Sequence, residues 1–177
     1  RPLYKPEHWD KVIELDMWTN KYDPVMTCQP LGVPRQGAPR RIWQTENDIT
    51  FLYLGGDAGG GYGEYRIIPI DGRKHPENAN LDLTYMGVSV GFIDTTWIGR
   101  GGYFHSSDMR VVEKFRREGD AVFYDVTVED PEVLVEPLVF PTRIMRRNAA
   151  ANAGLLRERG HCETDFETEA AATQIRH

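Results

Sequence analysis

Residues 109–116 and 121–129 alternate apolar and polar side chains on either side of Glu118-Gly119-Asp120, the pattern of an antiparallel β-hairpin. In its second half Val122, Tyr124, Val126 and Val128 share one face, while Phe123, Asp125, Thr127 and Glu129 share the other. The first of these faces is the expected core. In the partner half Met109, Val111, Glu113 and Phe115 fall in one row, which sets a carboxylate among apolar neighbours. Further short strands are expected at residues 42–45 and 49–54 around Glu46-Asn47-Asp48, at 65–70 closed by Asp71-Gly72, at 88–93 and at 138–145. So many short strands with so little helix predict a mainly β fold. The expected forms are an antiparallel β-barrel, closed or open, and a sandwich.

Upstream of the strands, residues 6–20 read as one amphipathic helix. Pro6 suits the first helical position, Glu7 the first turn, and Trp9, Val12, Ile13 and Met17 recur at helical spacing. The stretch 23–40 holds Pro24, Pro30, Pro34 and Pro39 and is expected to lie as an extended strap on the fold. From Asn148 the chain is rich in alanine and charge and reads as a surface tail. The expected organisation is thus one domain over residues 1–177: helix and strap to 40, β core over 41–147, tail over 148–177. The first residues are Arg1-Pro2-Leu3, with no initiator Met, as expected of a processed or trimmed product.

Charge and hydropathy limit the partners. The 177 residues carry 21 Lys+Arg against 27 Asp+Glu, a net charge of −6, so no broad cationic surface for a nucleic-acid backbone is expected. No run approaches the roughly 20 apolar residues that span a bilayer. The two cysteines, Cys28 and Cys162, form neither a CxxC pair nor a zinc spacing; they are either a disulfide or two free thiols.

Two groups of residues offer chemistry. By alternation Arg66 shares a face with Ile68 and Ile70, and Glu113 faces the core from its own strand. An interior Arg and an interior Glu are each costly alone and tolerable as a pair, either as a polar centre in a ligand cavity or as a structural ion pair. The second group is Phe92-Ile93-Asp94-Thr95-Thr96-Trp97 with Gly101-Gly102-Tyr103-Phe104-His105-Ser106-Ser107-Asp108. Asp94, His105 and Asp108 supply proton-transfer groups; Trp97, Tyr103 and Phe104 supply stacking surfaces. The bland alternative is a loop histidine held by turn hydrogen bonds. Arg73 and His75 in Asp71-Gly72-Arg73-Lys74-His75-Pro76 read as an anion clamp or as solvated turn charges. The glycine-rich run 55–63 lacks the Lys-Ser/Thr and helix of a phosphate loop and reads as a flexible loop. The five histidines show no HxH or HExxH spacing, and no GxSxG elbow is present, so no metal, cofactor or serine nucleophile is expected.

Residues 23–35, Asp-Pro-Val-Met-Thr-Cys-Gln-Pro-Leu-Gly-Val-Pro-Arg, together with Tyr65-Arg66, Asp71-Gly72-Arg73-Lys74-His75-Pro76, Asp94-Thr95-Thr96-Trp97, Phe104-His105-Ser106, Val111-Val112-Glu113-Lys114-Phe115 and Glu129-Asp130-Pro131, resemble a large uncharacterised family of secreted proteins from soil bacteria. The resemblance spans most of residues 3–165. It implies an exported protein and favours a Cys28–Cys162 bridge; it implies no activity. Members carry a Trp-x-Gly-Asp-Thr-Leu hairpin where this chain runs directly from Gly91 into Phe92, about a dozen residues short, roughly one hairpin. A fully closed barrel is therefore in question.

The leading expectation is a secreted or periplasmic β-barrel that binds a small aromatic or amphipathic molecule through Arg66, Arg73, Tyr65, Trp97, Tyr103 and Tyr124. The alternative is an acid–base lyase, isomerase or hydrolase using His105 with Asp94 and Glu113 as catalytic groups. A third reading is a self-assembling module, a homo-oligomer paired through exposed strand edges.

Overall fold

The computed structural model describes residues 1–16, 22–27, 31–53, 65–70, 86–89, 92 and 96–147. Within them the fold is mainly β, with two antiparallel sheets and one short N-terminal helix. The smaller sheet joins β1 (Arg41–Gln44), β2 (Asp48–Leu52) and β3 (Tyr65–Pro69) in sequence order. In the larger sheet β4 (Met86–Ser89), β5 (Arg110–Glu118) and β6 (Ala121–Glu129) lie side by side, and both β7 (Leu138–Val139) and β8 (Arg143–Arg146) pair with β6. Among the described residues these strands do not close into a barrel.

The β5–β6 hairpin follows its sequence pattern. Glu118 pairs with Ala121, leaving Gly119-Asp120 as a two-residue turn, and Gly119 takes the positive φ of 57° that such turns require. Val111, Glu113, Tyr124, Val126 and Val128 are buried on its inner face. The strand expected over 138–145 pairs with β6 in two pieces, on either side of a bulge. Leu138 and Val139 oppose Val128 and Thr127, and Phe140 N–H still donates to Val126 O at 3.0 Å. Pro141 has no N–H to continue the ladder, and pairing resumes at Arg143 opposite Tyr124. The extra residue reverses the alternation. Arg143 and Met145 thereby take the inner positions, and Ile144 turns outward.

The N-terminal segment packs on the far end of this sheet. Tyr4 bridges to Leu134, Lys5 N–H donates to Val133 O, and Val135 N–H donates to Leu3 O. The helix predicted over 6–20 begins as a 3-10 turn, Pro6–His8, and continues as α1, Trp9–Asp16; residues 17–20 lie outside the described residues. Its buried residue is Val12, with Trp9 and Leu15 half-buried beside it, whereas Ile13 is exposed. The strap is not simply extended: Pro24–Thr27 forms a 3-10 turn, and further turns follow at residues 33–36. The main core gathers Tyr4, Val12, Val33, Trp97, Phe104, Met109, Val111, Tyr124 and Val128 from segment, strap and large sheet. The small sheet meets the large one through Phe51 on Phe115, ring centroids 4.7 Å apart, and through an ion pair described next.

Candidate functional site

Strand alternation carries Glu113 inward from β5 and Arg66 inward from β3, and the two meet between the sheets. Arg66 Nη1 donates to Glu113 Oε2 at 2.6 Å and Nη2 to Oε1 at 2.9 Å, a bidentate pair that joins the sheets. Glu113 is 1% exposed, and the Arg66 side chain keeps 24% of its surface. Tyr124 donates to Glu113 Oε1 at 2.6 Å. Across β4 the residue opposite Glu113 in register is Gly87. Tyr53 OH accepts from Arg66 Nε at 2.9 Å and from Nη2, and Ser89 Oγ takes a long contact from Nη1 at 3.4 Å. Phe51 and Tyr53 place their rings 5.4 and 5.3 Å from the guanidinium carbon.

The electrostatics follow from this packing. Burial opposes the charge of Arg66, but its hydrogen bonds and charge attraction to Glu113, with help from Tyr53, outweigh burial and hold its pKa above the ordinary arginine value. Burial raises the Tyr124 phenol well above the usual tyrosine value, and the charge and hydrogen bond of Glu113 raise it further. With a contact for each of its five N–H donors, Arg66 has no donor left for a ligand. The predicted interior pair therefore exists, and its geometry is that of a tie between sheets.

His105 lies elsewhere. It is buried and bonded through both nitrogens: Nδ1 faces Ser106 O at 2.7 Å, and Nε2 faces Thr96 Oγ1 at 2.7 Å. A carbonyl only accepts, so Nδ1 carries the proton, and in the neutral ring Nε2 accepts from the threonine hydroxyl. Phe92 packs edge-on against the ring. Asp130, buried nearby, accepts from Ser106 N–H and Ser106 Oγ, both at 2.8 Å. The hydrogen-bond partners of His105 and those of Glu113 have no member in common among the described residues. Asp94 and Arg73 lie outside the described residues, as do His75, the glycine-rich run and both cysteines of the expected disulfide.

The remaining candidates divide by face. Tyr65 is 64% exposed, on the side of β3 opposite Arg66. Tyr103 is half-buried and stacks on Tyr4, whereas Trp97 is buried with the Arg35 guanidinium carbon 5.9 Å from its ring. Tyr124 belongs to two places at once, because besides bonding Glu113 it lines a cleft of about 230 Å3. Strap residues Leu31, Pro34, Arg35 and Gly37 form one wall of that cleft. The others come from Ile98, Gly99 and Arg100, from Tyr124 and Val126 on β6, and from Phe140, Pro141 and Arg143 at the bulge. Gly37 has φ 77°, and a Cβ there would stand 3.1 Å from Arg143 Nη1, so a glycine lets the strap close on that guanidinium.

Arg35, Arg100 and Arg143 carry no signal in the sequence that marks them as neighbours, since they come from a proline-rich strap, a turn and a bulge. Asp23 was equally hidden: it is buried and binds Arg35 Nη2 at 2.7 Å. Among the described residues no group of three or more His, Cys, Asp or Glu side chains is placed to hold a metal ion, and no helix is long and apolar enough to cross a membrane.

The fold and site define a two-sheet antiparallel β protein, tied by a buried Arg–Glu–Tyr network, with a strap-covered cleft beside it. No protein-family model, curated protein or solved structure matches the chain.

Proposed function

We propose that this protein is a small-molecule binding module whose ligand, aromatic or amphipathic, occupies the cleft beneath the strap. The observation that carries the reading is the composition of its walls: Leu31, Ile98, Val126, Phe140 and the Tyr124 ring give an apolar lining interrupted by three arginines. At about 230 Å3 the cleft is smaller than the roughly 300–1,000 Å3 of drug-sized pockets, which favours a compact ligand. The scaffold is an open barrel or sandwich whose two sheets are held in register by Arg66 and Glu113. Export and a Cys28–Cys162 bridge, implied by the family resemblance, belong to the same proposal. The acid–base alternative gains no support from His105, whose nitrogens are both engaged.

Methyl-resolved NMR with neutral fragments such as benzyl alcohol and benzamide tests the binding reading. The expected result is a saturable shift of the Leu31, Ile98 and Val126 methyl signals. Saturable shifts confined to other regions, or none at millimolar fragment, would overturn it.

A second reading, self-association, rests on the outer face of the small sheet. There Trp43, Thr50 and Ile67 stand in one cross-strand row, with Trp43 66% and Ile67 57% exposed, and β1 is an edge among the described strands. Sedimentation velocity is expected to show concentration-dependent dimers that Trp43→Lys abolishes; a strictly monomeric profile at high concentration sinks this reading.

A further inference from the structure

Arg35 and Arg143 in the cleft differ from Arg66 in what they leave unspent. Arg35 is 94% buried by side chain, at 6% exposure, and Asp23 takes only its Nη2. Its Nη1 is also buried, and no described residue accepts a hydrogen bond from it. A buried guanidinium N–H without an acceptor is costly, and here it leaves the Arg35 charge compensated on one side only. Arg143, on the opposite wall, is exposed and has no carboxylate partner among the described residues. The bulge at Pro141 is what turns it to this side, for an unbroken strand would have placed Thr142 opposite Tyr124 instead. Arg100 lines the same space. A chain of net charge −6 thus gathers three guanidinium groups around one apolar cleft.

Resting on the binding reading above, we infer that the ligand is a compact organic oxyanion, its carboxylate or phosphate bound by Arg143 in the field of the buried Arg35 guanidinium and its apolar body set against Leu31, Val126 and Phe140. Guanidinium groups suit this role because their planar N–H donors match the oxygens of an oxyanion. Asp23 neutralises part of the Arg35 charge and fixes its orientation, leaving the exposed Arg143 to meet the ligand.

Benzoate and benzamide are nearly the same shape and differ in charge, so titrating each by NMR separates the two proposals, with inorganic phosphate as a third probe lacking the apolar body. Benzoate is expected to bind about tenfold more tightly than benzamide, in line with hydrogen bonds between charged groups. Inorganic phosphate is expected to bind more weakly than benzoate and to compete with it. Arg143→Met is expected to remove most of the benzoate advantage while leaving benzamide affinity within about twofold. Arg35 is left intact because the buried Asp23 depends on it. Equal affinity for benzoate and benzamide at the cleft, or an unchanged benzoate preference in both Arg143→Met and Arg100→Met, overturns the oxyanion inference while the cleft reading stands. If neither compound perturbs the cleft signals, both readings fall together.

Discussion

Glu113→Ala is expected to lower the folding stability by about 3 kcal/mol, the lower end of the range for breaking a buried ion pair. The lower end applies because Arg66 retains 24% side-chain exposure and turns partly to water once its partner is gone. Against a total stability of about 5–15 kcal/mol this is a large fraction. The loss has a location as well as a size. Arg66 belongs to the small sheet and Glu113 to the large one, and the main core draws on the large sheet without β1, β2 or β3. Native-state hydrogen exchange on Glu113→Ala should therefore show β1–β3 opening at lower free energy than β5–β6. A paired replacement, Arg66→Met with Glu113→Leu, removes both charges and is expected to recover part of the stability, the Tyr124 hydroxyl having also lost its acceptor. Uniform loss of protection in both sheets, or a double variant as unstable as the single, would contradict the role of the pair as a tie.

The inward placement of Glu113 and Arg66 was legible because strand alternation is a local rule: a side chain two residues from a core valine faces the same way. That rule also located Tyr124, Val126 and Val128 in the core. It failed at the bulge, where one extra residue around Pro141 exchanged the faces of Arg143 and Ile144. The cleft was illegible for a related reason. Its walls come from residues 31–37, 98–100, 124–126 and 140–143, segments without periodicity whose meeting depends on how the strap crosses the sheet. Proline content predicted a strap but could not tell that Arg35 would turn inward to Asp23. His105 illustrates the opposite error of emphasis. A histidine among carboxylates and aromatics reads as chemistry in sequence, yet its nitrogens close onto Thr96 and the Ser106 carbonyl.

The second large effect is alkaline. Tyr4 and Tyr124 are both buried phenols whose pKa values stand well above that of an unfolded tyrosine. Burial is the main cause in each; the charge of Asp130 adds to it at Tyr4, and that of Glu113 at Tyr124. Above the unfolded value, near pH 10, an unfolded chain releases two protons that the folded chain keeps, so unfolding gains on folding as pH rises. The stabilisation from these two groups is complete below about pH 10 and falls above it by about 1.4 kcal/mol per pH unit for each tyrosine. Urea unfolding midpoints measured from pH 8 to 11.5 should be level with respect to these groups at the start and drop steeply beyond pH 10. Absorbance near 295 nm should show two phenols of the eight tyrosines ionising only as the fold is lost. Tyr124→Phe loses its hydrogen bond to Glu113, worth about 1.5–3 kcal/mol at neutral pH because the acceptor is charged, yet it should halve the contribution of these phenols to the alkaline slope. The opposite signs of those two effects separate a buried phenol from a merely destabilised core. A Tyr4→Phe, Tyr124→Phe double variant with the parent's slope would assign the alkaline loss to other groups.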